Sequence, residues 1–376
     1  MQIEADKMRV FCVDCGKETD FNPLRWRCKC GGAWEPAKLP LFDPRKIKSK
    51  DFTLWRYGEL LGLDIHSQIL QVGVGWTPLI PIHLFGQNVH LKLEFLSPSG
   101  SFKDRGVNTM VNQLLHMGYR TFIEDSSGNA GASLAMHGAR FGVKTMIFVP
   151  EHASTAKINQ IGVYGATIKT IPGQRKATER AAQAAVSADK VYASHAYNPA
   201  YLAGQISAAY ELWEQLGHST PDWIICPVGQ GGLFLGYWFG FKQLLQAKLI
   251  DHMPHLVAVQ SKLTSPIHRA WIEGLDHIPE MISENSSLAE GTAISKPVRE
   301  KRILQALRET NGRTFAIPEK EIVQAQKSLA HLGYFIEPTS ALVVAGLKQL
   351  LPQISKEDIV VLPLTGSGLK SAPQKN

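Results

Sequence analysis

The chain predicts an α/β protein, with mostly parallel sheets flanked by helices. Three observations carry that expectation. Short apolar runs of strand length alternate along the chain with stretches of helical spacing, the order that produces parallel strands joined by crossover helices. Several of these runs end in turns of glycine, serine and asparagine, the composition expected where a strand hands over to a helix at the ligand-binding edge of such a sheet. And 376 residues, 44% hydrophobic and 19% charged, suffice for a large core divided into two or three domains.

From the N-terminus, four of the five cysteines fall in the first thirty residues as Cys12-x-x-Cys15 and Cys28-x-Cys30, with Gly16 and Gly31-Gly32 directly after the pairs. Paired thiolates on glycine turns are the ligand pattern of a tetrahedral four-cysteine zinc ribbon. The second gap is shorter than usual, so reduced cysteines without a metal are the alternative. A disulfide framework does not suit a cytosolic chain of this size. Residues 1–45 are read as this ribbon-like segment and a linker, with prolines at 23, 36, 40 and 44.

From about residue 51 strand and helix patterns alternate. Residues 89–95 (VHLKLEF) alternate with period two and lead into the loop SPSGSFKDRG at 97–106. Val107, Met110, Val111, Leu114 and Leu115 then recur at helical spacing, with Ser101 as the expected N-cap and Asp104 in the first turn. A strand is expected near 121–125, then the turn Ser126-Ser127-Gly128-Asn129-Ala130-Gly131 and a helix with Ala132, Ala135 and Ala139 on one side. Further strands are expected at 143–149 and 166–171, with helices over 152–164 and 175–187. In the second half, residues 223–228 (WIICPV) form a buried strand, with Cys226 an inert core residue on it. Gly229-Gln230-Gly231-Gly232 then turns into a helix over 233–246. Strands at 256–260 and 359–364 follow, the last ending in Thr365-Gly366-Ser367-Gly368.

Lys103 falls in the first turn of its helix, where unpaired backbone N–H groups disfavour a cation by about 0.3–1 kcal/mol and lower an amine's pKa. A neutral amine attacks an aldehyde, so Lys103 suits a Schiff base with pyridoxal phosphate; an ordinary solvated lysine is the alternative. Residues 229–232 are either a phosphate cradle or a tight connection. The loops at 126–131, 229–232 and 365–368 are placed to converge on one crevice at strand carboxyl ends. A lysine, a side-chain amide, a phosphate cradle and a hydroxyl are what pyridoxal phosphate requires, and each has a candidate. His137 and His195 lie near these motifs and are read as packing residues.

The net charge of +7 is spread along the sequence with no basic stripe, which disfavours nucleic acid as a partner. Residues 1–10 carry both signs of charge and no apolar core, so no signal peptide is expected and the cytoplasm is the expected compartment. The uncharged stretch 223–241 contains Pro227 and several glycines, and reads as strand, loop and helix, not as a membrane span.

SFKDRG at 101–106, SSGNAG at 126–131, PVGQGG at 227–232, AEGTAISKPVR at 289–299, EPTSA at 337–341 and TGSGLK at 365–370 together resemble the threonine synthase-like family of fold type II pyridoxal phosphate enzymes. The resemblance covers nearly the whole chain. It implies two open twisted sheets, in a large cofactor-binding domain (46–85 and 198–376) and a small mobile domain (86–197). It further implies Lys103 as the Schiff-base lysine and catalytic residue, and Asn129 at the ring hydroxyl. Gly229, Gln230, Gly231 and Gly232 would meet the phosphate, Thr365 the pyridine nitrogen, and Ser126, Ser127 and Gly128 the substrate carboxylate. The implied activity is elimination or replacement on a small-molecule amino acid, best named as O-phosphohomoserine and water to threonine and phosphate, by a homodimer. A related β-lyase acting on serine, threonine or O-phosphoserine, or a non-catalytic cofactor-binding paralogue, are the alternatives. One stretch departs. The family commonly has Asn-Pro-x-Arg-Leu-Glu-Gly-Gln-Lys-Thr where residues 198–207 read NPAYLAGQIS, so Tyr201 stands in place of an arginine that would contact the substrate phosphate. Arg105, Lys157 or Arg299 would have to supply that charge.

Overall fold

The computed structural model describes residues 8–370 apart from 64, 66, 67, 154, 174 and 284, so the charged opening stretch lies mostly outside it. Its strands are β1 (Arg9–Cys12), β2 (Glu18–Asp20), β3 (Trp34–Pro36), β4 (Leu79–Leu84), β5 (Gln87–Lys92), β6 (Thr121–Glu124), β7 (Lys144–Pro150), β8 (Thr167–Ile171), β9 (Val191–Tyr192), β10 (Trp223–Pro227), β11 (His255–Ser261), β12 (Arg313–Ile317) and β13 (Val360–Pro363). Its helices are α1 (Lys103–His116), α2 (Asn129–Phe141), α3 (Thr155–Val163), α4 (Arg175–Ala184), α5 (Pro199–Gln215), α6 (Gly232–Gln246), α7 (Pro266–Ile272), α8 (Glu300–Glu309), α9 (Glu319–Ala330) and α10 (Pro338–Leu350). The chain divides into two compact units, 8–74 with 103–205 and 75–102 with 206–370 among the described residues.

In the first unit the ribbon is an antiparallel sheet of order β2-β1-β3 around Val10, Phe21 and Trp34. Its third strand, residues 34–36, takes in residues 35 and 36, where the linker was expected to begin. A parallel sheet of order β8-β7-β6-β9 follows. Val107, Met110 and Val111 of α1 and Ala132 and Ala135 of α2 pack with Phe122, Ile147 and Val149 of this sheet. Residues 51–74 do not alternate strand and helix as expected. Among the described residues they hold one 3-10 helix, Leu54–Leu60, which buries Leu54, Trp55, Tyr57 and Leu60.

Where α1 meets the first part of α5, both helices carry glycine at the contact. A Cβ on Gly106 would lie 2.5 Å from the Tyr201 ring, and one on Gly204 2.2 Å from the Arg105 carbonyl oxygen. Thr109 Oγ1 adds a hydrogen bond to Ala200 O at 2.7 Å. Close backbone approach of this kind fixes the helix that begins with Lys103.

The second unit is a six-stranded sheet of order β12-β11-β10-β13-β5-β4, parallel except for the β4–β5 hairpin. A buried polar network ties the hairpin to the second half of α5. Lys92 donates to Glu211 and, at 2.5 Å, to Thr77 O, while Glu211 also accepts from the amides of Trp76 and Thr77 at 2.7 and 2.8 Å. The uncharged stretch 223–241 is β10, a turn and part of α6. Among the described residues no helix is long and apolar enough to cross a membrane.

Candidate active site and cysteine cluster

The helix carrying Lys103 starts one residue later than a Ser101 cap would place it. Ser101 forms an antiparallel bridge with Gly366, and Phe102 N–H donates to Thr365 O at 3.0 Å, so the chain stays extended through Phe102 and turns helical at Lys103. Asp104 lies in the first turn as expected, and its carboxylate accepts a short hydrogen bond from Ser133 of α2.

In the first unit, β6 ends at Glu124 and the chain passes through 125–128 into α2, with Gly128 as N-cap and Asn129 as first helical residue. A Cβ on Gly131 would stand 1.9 Å from Ser126 O, so only glycine lets the loop fold onto the first turn of α2. Ser126 Oγ accepts from Gly128 N–H at 3.3 Å. Ser126, Ser127 and Gly128 are thus held at the carboxyl end of a parallel strand beside a helix N-terminus, a place suited to a carboxylate.

Beneath this loop lies a cluster that the sequence reading missed. Glu124 accepts from the His195 amide and from His195 Nδ1, both at 3.1 Å. Asp125 accepts from Tyr192 OH at 2.7 Å and from Arg175 at 3.2 Å. Burial pushes the Glu124 carboxyl up to about 7 against the pull of the His195 amide, and pushes Asp125 up against the pull of Arg175. Two acids closing an apolar strand, Ile123-Glu124-Asp125, were the available signal. The ribbon reaches the same cluster, because Trp26 makes edge contacts with Tyr192 and Tyr197, ring centroids 5.1 and 4.8 Å away.

In the second unit, the turn 229–232 follows β10 and Thr365 follows β13, its parallel neighbour. Gly231, at φ +83°, is the N-cap of α6. Added Cβ atoms on Gly229 and Gly231 would lie 2.7 Å from Gly291 O and 2.7 Å from Ile303 respectively, so the turn is pressed against the segment holding the 289–299 motif. Gln230 Oε1 accepts from Val298 N–H at 2.9 Å, and Arg299 is buried next to it in sequence. Thr365 is 1% exposed, and its hydroxyl stands 3.0 Å from Ser340 Oγ, which accepts from Gly366 N–H at 2.8 Å. Ser101 Oγ is fully buried and has no partner among the described residues. A glycine-rich turn at a helix start, whose one side chain, Gln230, is hydrogen-bonded to Val298, together with a buried hydroxyl at the neighbouring strand end and an unsatisfied Ser101 hydroxyl, fits a phosphorylated pyridine ring. Arg105 is fully buried in α1 and Lys157 is half-buried in α3.

The sulfurs of Cys12, Cys15, Cys28 and Cys30 lie within 4.8 Å of one another, with Cys12–Cys30 at 3.4 Å and Cys15–Cys28 at 3.7 Å. Tetrahedral zinc–sulfur bonds of about 2.3 Å set sulfurs about 3.8 Å apart, so the cluster fits zinc. The Lys17 amide draws Cys15 down to about 7, while burial pushes Cys12 up to about 12. Cys226 is fully buried and its thiol is raised, as an inert core residue requires. A cleft of about 1020 Å³, lined by Trp26, Trp34, His116 and Tyr119 among others, reaches Cys28 of the ribbon and none of the residues expected at the cofactor or substrate.

The family described as pyridoxal-phosphate dependent enzyme matches residues 70–366. Threonine synthase of Methanocaldococcus jannaschii is 33% identical over 96% of this chain and 92% of its own length. That of Methanosarcina acetivorans is 31% identical over 96% and 91%. Among solved structures, a fungal L-serine ammonia-lyase from Rhizomucor miehei superposes with a TM-score of 0.69 at 24% identity, over 77% of this chain and 93% of its own. With likeness running through both sheets and along nearly the whole sequence, the chain belongs to the pyridoxal-phosphate dependent enzyme family, as a fold type II, threonine synthase-like member.

Proposed function

We propose that this enzyme is a threonine synthase, a carbon–oxygen lyase that converts O-phosphohomoserine and water into threonine and phosphate. The observation that carries the reading is the position of the motif residues at strand carboxyl ends: Ser126–Asn129 after β6, Gly229–Gly232 after β10 and Thr365 after β13. Lys103 would hold the cofactor's aldehyde carbon, Asn129 its ring hydroxyl, and residues 229–232 its phosphate. Thr365, oriented by Ser340, would meet the pyridine nitrogen. Ser126, Ser127 and Gly128 would receive the substrate carboxylate. Bound pyridoxal phosphate supplies an electron sink at the substrate's α-carbon. A neutral hydroxyl such as Thr365 does not keep the ring nitrogen protonated as a carboxylate would, which favours loss of a leaving group over transamination.

The four cysteines would hold one structural zinc ion in a closed thiolate set, with no open position for water. A cytoplasmic homodimer belongs to the same reading, and sedimentation checks the assembly. A second reading, a β-lyase acting on serine, threonine or O-phosphoserine, is favoured by one observation: Tyr201 is 1% exposed where the family motif carries arginine.

The test is made on purified protein carrying its cofactor. Borohydride reduction should fix the cofactor on Lys103, and Lys103→Ala should abolish both the label and the yellow colour; a label on another lysine refutes the assignment. Phosphate release from O-phosphohomoserine should exceed release from O-phosphoserine and keto-acid formation from serine and threonine. The reverse order selects the β-lyase.

A further inference from the structure

The functional reading uses neither His195 nor Glu124, yet their geometry is specific. β9 runs beside β6 in parallel register, with Phe122 opposite Val191 and Ile123 opposite Tyr192, so His195 and Ser126 leave the sheet at one carboxyl edge. Glu124 accepts from both the amide and the ring of His195, and from the Asp125 amide as well. Glu124 is 1% exposed and His195 9%, so the carboxyl is sealed and the imidazole lies closer to the surface. Tyr201 meets the ring in a T-shaped contact with centroids 6.0 Å apart, and this is the position at which the family motif has its arginine.

Counting protons fixes what the pair offers. When both groups have lost their exchangeable proton, Nδ1–H donates to the carboxylate and Nε2 is an acceptor. Adding one proton gives either an imidazolium beside a carboxylate or a neutral imidazole accepting from a carboxylic acid. In both forms Nε2 carries hydrogen.

We propose that His195, oriented by Glu124, hydrogen-bonds the phosphate of the substrate through Nε2–H and so replaces the arginine absent at Tyr201. The proposal rests on residues 126–128 holding the substrate carboxylate, since that places the rest of the ligand at this edge.

The surroundings set the pH range. Burial pushes Glu124 up to about 7, with the His195 amide and the charge of Arg175 opposing. The other ionisable groups facing the pair are Asp125, whose partners are Tyr192 and Arg175, and beyond it Glu179 of α4, Tyr197 and Arg27. Below the ionisation of the pair a phosphate meets a donor; above it, the phosphate meets a lone pair and is repelled.

The experiment uses the holoenzyme and calorimetry with two ligands that cannot turn over: the phosphonate isostere of O-phosphohomoserine and the same amino acid without the phosphonate. The ratio of their affinities is followed from about pH 6 to about pH 9, and subtracting a variant's profile cancels the ligand's own titration. Relative to His195→Gln, which keeps a donor but does not titrate, wild type should lose about tenfold in phosphonate preference across the range. Glu124→Gln fixes Nδ1–H toward the amide oxygen and should give low preference throughout. Identical profiles for wild type and His195→Gln overturn the proposal, and His195→Gln alone decides it if Glu124→Gln fails to fold. Ser127→Ala should weaken both ligands equally. If it weakens neither, the carboxylate assignment has failed, an outcome distinct from failure of the role given to His195.

Discussion

Replacing Tyr201 by arginine, as the family motif would have it, should damage this protein and not improve it. Tyr201 belongs to the core with Val107, Met110 and Val111 of α1, and its ring fills the space over Gly106. The Tyr201→Arg side chain would put a guanidinium in this apolar cluster beside His195, whose acid partner Glu124 is already engaged. An uncompensated buried charge costs about 3–5 kcal/mol, and lost ring packing adds to it. Even the lower figure shifts the folding equilibrium by at least about a hundredfold. Urea denaturation followed by circular dichroism should therefore show a clearly lower midpoint for Tyr201→Arg, while Tyr201→Phe, which keeps the ring, should lose less than about 1.5 kcal/mol. Phosphate release from O-phosphohomoserine should not rise. A Tyr201→Arg variant with wild-type stability and higher turnover would refute the reasoning, because the guanidinium would then have reached the ligand without disturbing the α1–α5 contact.

Further outcomes follow from the same geometry. Glu211→Gln leaves the fully buried Lys92 ammonium without its counter-charge and should cost about 3–5 kcal/mol in denaturant titrations. Ser340→Ala leaves the buried Gly366 N–H without its acceptor, a loss of about 1–3 kcal/mol, and should also weaken cofactor binding in fluorescence titrations because Thr365 loses its neighbour. Stripping metal from the cysteine cluster with a chelator should loosen 23–28 and so the packing of Trp26 on Tyr192; limited proteolysis should then cut within 13–32, and added zinc should restore protection. Metal analysis finding no stoichiometric zinc in protein purified under reducing conditions would remove the basis of that last expectation.

The fold was legible where periodicity and turn chemistry agreed. The structure places β7, β8 and β10 within a residue or so of the runs at 143–149, 166–171 and 223–228; β10 is continuously apolar because it is buried along nearly all its length, whereas β8 lies at its sheet's edge and is exposed or half-buried throughout. β9 was illegible because it spans only Val191–Tyr192 and gains its place from pairing with β6, which no local pattern encodes. β12 was missed for a related reason: RTFAI is a short segment that gains its place through parallel pairing with β11. The expected cap at Ser101 failed because a distant partner, Gly366, competes for the same backbone and keeps it extended. Local propensity gave the right helix there and the wrong reason for its start.

The candidate site divides in the same way. Loops that place backbone groups at strand ends are written in glycine and serine, and they could be read directly. The side chains that hold those loops are ordinary residues given meaning by burial. Ser340 is one serine among many until its hydroxyl is seen between Thr365 and the Gly366 amide. Glu124 and Asp125 look like a solvated pair at the end of a strand, yet they are 1% and 3% exposed and each carboxyl is held by named donors. Two adjacent buried carboxyl groups are costly unless they are paired, so their presence at the root of the 126–128 loop requires a partner for each. Asp125 has Arg175 and Tyr192; among the described residues Glu124 has the amides of His195 and Asp125 and the His195 imidazole. A carboxyl that serves only to hold the loop would be better matched by a group that does not titrate, as Asp125 is by Arg175. The unequal pairing of these two neighbours, a guanidinium and a phenol for one and an imidazole for the other, is the feature on which the role proposed for His195 rests.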